Sequence, residues 1–130
     1  MANERNVTVL IIDDNDMMRE VLRVSLRSDG YNVIGEATDG VAGLEMAFKL
    51  KPDVICLDIL MPKINGLNVL KMVKEKLPRV SVLMITGQNE RAIVQQALAG
   101  GASGFILKPF NTGTILGTME KVVAKMRATT

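Results

Sequence analysis

Residues 54–62 read Val-Ile-Cys-Leu-Asp-Ile-Leu-Met-Pro. An apolar run delivers a carboxylate at Asp58 and then resumes with Ile59-Leu60-Met61. Apolar residues without polar interruption at 54–57 mark a strand covered on both faces, as in a parallel sheet. An ionised carboxylate ending such a strand is costly unless it sits at a mouth, meets a partner or holds a cation.

Other short β-branched or apolar runs occupy residues 7–12, 32–37, 80–85 and 104–107, giving five predicted strands, of which the first, third and fourth are nearly continuously apolar. Amphipathic segments separate them. The first is expected to be capped by Asp16, to carry Met18, Leu22 and Leu26 on one face, and to close at Gly30. The second begins at Asp39, carries Val41, Leu44 and Phe48, and stops before Pro52. The third begins at Asn65, carries Leu67, Leu70, Val73 and Leu77, and stops before Pro78. The fourth begins at Asn89, carries Ile93, Val94, Ala97 and Leu98, and ends at Gly100-Gly101. The fifth has the clearest helical period, through Ile115, Leu116, Met119, Val122, Val123 and Met126. The methionines on these stripes read as core filler. The alternation predicts an α/β chain of five βα units, a doubly wound parallel sheet with helices on both faces.

Composition narrows the function. The 130 residues suffice for one domain with a real core, and no linker or low-complexity tract divides them. Sixteen basic residues against fourteen acidic ones leave +2, too mild to argue for nucleic acid or a membrane surface. Aromatic residues are only 3%, which disfavours a base-stacking platform. The single cysteine, Cys56, lies in an apolar run and reads as a small core residue; no intrachain disulfide is possible, in keeping with a reducing, cytoplasmic setting. There is no histidine, which excludes a His base, a His metal ligand and a phosphohistidine on this chain. No apolar stretch is long enough for a signal-peptide core or a membrane span.

Ligands of such sheets bind beyond the carboxyl ends of the strands. There the chain places Asp13-Asp14 after strand one, Asp58 after strand three, Thr86-Gly87 after strand four and Lys108-Pro109 after strand five. Singly, each has an ordinary explanation as a cap, a loop start or a turn. Jointly, with strands one and three adjacent in a 2-1-3-4-5 order, three carboxylates converge, and their repulsion calls for a cation. All-oxygen ligands without His or Cys favour a hard ion, and so small a set suits Mg²⁺. With Lys108 and the Thr86 hydroxyl beside it, Asp58 is placed to attack phosphorus and form an acyl phosphate.

The motifs at 10–14 (LIIDD), 53–66 (DVICLDILMPKING), 83–87 (LMITG) and 101–110 (GASGFILKPF) resemble those of response-regulator receiver domains of the small stand-alone chemotaxis type, over about residues 7–126. The resemblance implies a flavodoxin-like fold with Asp58 as phosphoacceptor, Asp14 as direct Mg²⁺ ligand and Asp13 acting mainly through metal-bound water. It further implies a metal contact from the Leu60 backbone carbonyl, a phosphoryl contact from Lys108, and a cis bond before Pro109. Mn²⁺ is expected to substitute for Mg²⁺. Thr86 and Phe105 match the family's switch pair, with Phe105 lacking the hydroxyl of relatives that carry Tyr. Asn65 stands where many receivers have Asp but can still cap the third helix. Residues 101–104 lack the acidic residues of a charged dimer face found in one DNA-binding subfamily. Leu60 and Gln88 flank the phosphoryl position and are expected to tune water access.

The implied function is a phosphorylation-dependent switch fed by a sensor histidine kinase or histidine phosphotransfer protein. Its signal is expected to leave through helix four, strand five and helix five, with Glu90, Arg91, Gln95 and Gln96 as candidate readout residues. With no output domain expected, a downstream target protein receives it, without direct DNA binding, from a monomer or weak dimer. Two other readings compete. A haloacid-dehalogenase-type phosphohydrolase needs DxDx[TV], whereas Asp14-Asn15-Asp16-Met17-Met18 supplies the two aspartates alone. An interaction module that signals without phosphorylation would not need Asp13, Asp14, Asp58, Thr86 and Lys108 together.

Overall fold

The computed structural model describes residues 6–61, 64–87 and 91–128. Strands β1 (Thr8–Ile12), β2 (Asn32–Ala37), β3 (Val54–Asp58), β4 (Ser81–Thr86) and β5 (Gly104–Leu107) alternate with helices α1 (Asp16–Ser28), α2 (Gly40–Leu50), α3 (Gly66–Lys76), α4 (Arg91–Ala99) and α5 (Thr112–Ala128). The strands form one parallel sheet in the order β2-β1-β3-β4-β5. β1, β3 and β4 are buried almost throughout, which is why their sequences do not alternate.

Side chains on successive strand residues point to opposite faces, and this divides the core in two. Val9, Ile11, Cys56, Leu83 and Ile85 meet Leu22 and Leu26 of α1 and Ile115, Met119 and Val122 of α5. Leu10, Ile12, Leu57, Val82 and Met84 meet Leu44 of α2, Val69, Leu70 and Val73 of α3, and Ala97 of α4. Each leucine or isoleucine fully withdrawn from water contributes roughly 1.5–3 kcal/mol. The centre is therefore rigid enough to fix what stands at the strand ends.

Val41 and Leu98, expected on buried stripes, are exposed. In α2 the buried face is made of Gly40, Gly43 and Ala47 instead. A Cβ on Gly43 would lie 2.6 Å from the Ile12 side chain, so α2 sits too close to the sheet for a larger residue.

The helix starts follow local chemistry. Asp39 and Asn65 cap α2 and α3 by accepting from the Ala42 and Asn68 amides. For α1 the expected cap, Asp16, is corrected to Asn15. The Asn15 backbone is extended and its side chain accepts from Met18 N, while Asp16 lies in the first turn, where its charge meets the helix dipole. β4 begins at Ser81, one residue later than expected, because Val80 N donates back to Leu77 O and closes the preceding turn. The expected α4 cap, Asn89, lies outside the described residues, as do Gln88 and Glu90. Among the described residues, no helix is long and apolar enough to cross a membrane.

Candidate functional site

Strand register builds the site. β1 and β3 pair Ile11 with Cys56 and Ile12 with Leu57, so Asp13 and Asp58 emerge beside each other at the carboxyl edge. Asp14 follows, exposed, and one carboxylate oxygen from each of Asp13, Asp14 and Asp58 lies within 4.8 Å of the others. Across the sheet, β4 pairs Thr86 with Leu107, which brings Lys108 to the same edge. Lys108 N donates to Thr86 O at 2.8 Å, tying the two tips together. The Lys108–Pro109 peptide bond is cis.

Burial at this edge is unusual for charged groups. Asp13 is fully buried and Asp58 only 4% exposed. Asp13 Oδ1 accepts from Asn15 N at 2.9 Å. Its other oxygen, Oδ2, is buried without a hydrogen bond. Lys108 Nζ stands 3.6 Å from Asp13 Oδ2 and 3.5 Å from Asp58 Oδ2, close enough to attract both and too far to bond either firmly. Asp58 Oδ1 receives a long contact, 3.4 Å, from Leu60 N.

The electrostatics follow. Burial pushes the Asp58 carboxyl up from 3.8 to about 6, and the Asp13 and Asp14 charges push the same way. Lys108 and the Leu60 amide draw it part of the way back. Three clustered carboxylates, one of which has a buried oxygen without a hydrogen bond, with net repulsion among them, fit a hard divalent cation such as Mg²⁺.

The remaining expected positions lie nearby. Thr86 ends β4 fully buried. Phe105 lies on β5 in register with Met84, on the same face as Thr86, and is 37% exposed. Leu60 is 53% exposed at the rim. Gln95 and Gln96 are exposed on α4.

Two residues that sequence reasoning did not single out, Gly66 and Arg19, are important to this geometry. Gly66 packs against the loop leaving Asp58: a Cβ there would lie 2.3 Å from the Asp58 carbonyl oxygen and 2.6 Å from Ile59 Cα. Gly66 N donates to Ile59 O at 2.7 Å, so the α3 start fixes how the chain leaves β3. In the sequence Gly66 closes the 53–66 motif, directly after the helix cap Asn65. Arg19 reaches back from α1 and donates to Asp13 O at 2.8 Å.

Comparison with known proteins adds a decisive observation. The family model for the response regulator receiver domain matches residues 9–120. The chain belongs to the response-regulator receiver family. Its similarity to the chemotaxis protein CheY of Thermotoga maritima is 36% identity over 88% of this chain and 95% of the relative. It is also 34% identical to the transcriptional regulatory protein YdfI of Bacillus subtilis, but over only 54% of that longer protein. Among solved structures, the CheX–CheY–BeF3–Mg²⁺ complex from Borrelia burgdorferi matches with a TM-score of 0.88 and 30% identity, over 90% of this chain and 89% of the other. The response regulator domain of Thermotoga maritima CheB matches with a TM-score of 0.83 and 37% identity, over 93% and 96%. Receiver domains are signalling switches of two-component systems, and the flavodoxin-like 2-1-3-4-5 sheet observed here is that family's fold.

Proposed function

We propose that this receiver accepts a phosphoryl group on Asp58 from a phosphohistidine, presented in the cytoplasm by a sensor histidine kinase or a histidine phosphotransfer protein. The observation that carries the reading is the convergence of Asp13, Asp14 and Asp58 with Lys108 Nζ 3.5 Å from Asp58. An Asp58 carboxylate oxygen attacks phosphorus as the P–N bond breaks. The bond's electron pair returns to the imidazole nitrogen and the phosphoryl group becomes an acyl phosphate. Burial and the neighbouring carboxylates raise the Asp58 carboxyl to about 6 in the cation-free site, which leaves it ionised at neutral pH, and a bound cation favours the ionised form further.

Asp13, Asp14, Asp58 and the Leu60 carbonyl would hold the cation. Mg²⁺, when bound there, supplies positive charge that offsets the carboxylates and the oxygens of the transferring group. Lys108 pairs with a phosphoryl oxygen, leaving its long contacts to Asp13 and Asp58. The Thr86 hydroxyl turns toward the new phosphoryl oxygens, and the half-exposed Phe105 ring moves inward behind it. The α4–β5–α5 surface then presents a different shape to a downstream target protein, from a monomer or weak dimer and without direct nucleic-acid contact. Slow hydrolysis of the acyl phosphate resets the switch.

Similarity to the Borrelia CheY, solved with BeF3 and Mg²⁺, supports the assignment of the edge. The test is intact-mass spectrometry after incubation with acetyl phosphate, with and without Mg²⁺, on wild type and Asp58→Asn. The expected result is a Mg²⁺-dependent gain of one phosphoryl group in wild type and none in the variant. No gain in wild type from acetyl phosphate or a phosphohistidine donor would leave an interaction module of receiver fold.

A further inference from the structure

Asp13 is held at almost every polar atom it has. Its N–H donates to Ala37 O of β2 at 3.1 Å, and its Oδ1 accepts from Asn15 N at 2.9 Å. Its carbonyl oxygen accepts from Arg19 Nη1 at 2.8 Å. Only Oδ2, facing Lys108, has no hydrogen bond. Arg19 is itself anchored: its side chain is 13% exposed, its Nε lies 3.6 Å from Glu36 Oε1, and its Nη2 is bonded to Asp16. Glu36, near the end of β2, is braced in turn by Arg23 at 2.8 Å. A chain of ion pairs thus runs from β2 through α1 to the peptide that joins Asp13 to Asp14.

We propose that Arg19 is a positioning residue for the metal site: by fixing the Asp13–Asp14 peptide it holds both carboxylates in the converged arrangement that their mutual repulsion opposes. The proposal rests on the reading of that edge as a cation and phosphoryl site. Arg19 bonds the Asp13 carbonyl oxygen and so restrains the orientation of the peptide plane from which Asp14 projects. The planar guanidinium meets Asp13, Asp16 and Glu36 through three of its nitrogen atoms at once, which the single ammonium of lysine cannot reproduce.

Charge and positioning predict opposite signs. A guanidinium near a cation site repels the cation, so by charge alone its removal would tighten Mg²⁺ binding. Loss of positioning weakens it. The experiment is Mg²⁺ titration of the full chain by calorimetry, with the acetyl-phosphate reaction rate followed against Mg²⁺ concentration, for wild type, Arg19→Met and Arg19→Lys. We expect Arg19→Met to raise the Mg²⁺ Kd and the half-saturating Mg²⁺ on the order of tenfold, with the rate at saturating Mg²⁺ nearly unchanged. Arg19→Lys recovers part of the loss. If Arg19→Met fails to fold, Arg19→Lys decides, since it keeps the charge and loses the fork: a raised Kd supports positioning and an unchanged Kd overturns it. A lower melting temperature in Arg19→Met with wild-type or tighter Mg²⁺ binding also overturns it and leaves only a structural role. Wild type that neither binds Mg²⁺ nor gains a phosphoryl group would sink the reading of the edge as well. Normal wild-type chemistry with an unaffected Arg19→Met would sink this inference alone.

Discussion

Asp53 and Asp58 bracket one strand, and the structure treats them in opposite ways. At the amino end, Asp53 Oδ2 accepts from Thr8 N at 2.9 Å and Thr8 Oγ1 at 3.2 Å, while Asp53 N donates to Thr8 Oγ1 at 2.9 Å. The Asp53 carbonyl accepts from Ser81 N at 3.0 Å, so one residue joins the starts of β1, β3 and β4. At the carboxyl end, Asp58 is buried against two other carboxylates, with a long amide contact and a lysine at 3.5 Å. Hydrogen bonds completed within the chain stabilise the fold. Bonding capacity left open in a buried place costs stability until a ligand supplies what is missing.

The comparison can be tested at several points. Lys108→Ala removes the cation facing Asp58, and the rate of phosphoryl gain from acetyl phosphate at saturating Mg²⁺ is expected to fall by roughly 10²–10³-fold. Asp53→Ala should leave that rate near wild type, so equal rate losses in the two variants would erase the distinction between the edges.

The pH dependence of stability should come next in size. Asp58 binds its proton more tightly folded, near 6, than unfolded, near 3.8. Its ionisation therefore costs nothing below the unfolded value. As pH rises from about 4 through 6 the folded state loses stability, by about 3 kcal/mol once both states are ionised. Denaturant unfolding of Mg²⁺-free protein across that range should show this component in wild type and lack it in Asp58→Asn. A wild-type component of opposite sign, absent from the variant, would mean that Asp58 is already satisfied.

Asp53→Ala removes the carboxylate acceptor of the Thr8 amide and hydroxyl protons and should cost about 2 kcal/mol, read as a lower urea midpoint at constant slope. The smallest effect concerns the α1 start. Asn15→Ala should cost about 1 kcal/mol as loss of the true cap, and Asp16→Ala less, because Asp16 offers only a first-turn charge and an exposed ion pair. The reverse ranking in thermal unfolding would restore Asp16 as the cap.

These cases also mark what the sequence can disclose. The apolar runs of β1, β3 and β4, the caps Asp39 and Asn65, and the placement of Asp13, Asp14, Asp58, Thr86 and Lys108 at one sheet edge are readable because each depends on residue type and local spacing. The α1 cap was ambiguous because Asn15 and Asp16 are both good caps and only backbone conformation chooses between them. At the α5 start the Asn111 side chain accepts from Thr114 N, four residues ahead of the first apolar residue of the periodic stripe, so the hydrophobic period does not mark it. Arg19 and Gly66 were invisible in their roles, since a guanidinium reaching back six residues or a backbone approach across a loop leaves no periodic trace.

The most direct test of the central claim is the melting temperature of wild type and Asp58→Asn near pH 8, each with and without Mg²⁺. If the carboxyl edge is an open, repulsive cation site, Asp58→Asn melts several degrees above wild type without Mg²⁺, and Mg²⁺ raises wild type far more than the variant. If Asp58→Asn melts below wild type and Mg²⁺ moves neither, Asp58 is a satisfied structural residue like Asp53, and the account of this edge as the functional one is wrong.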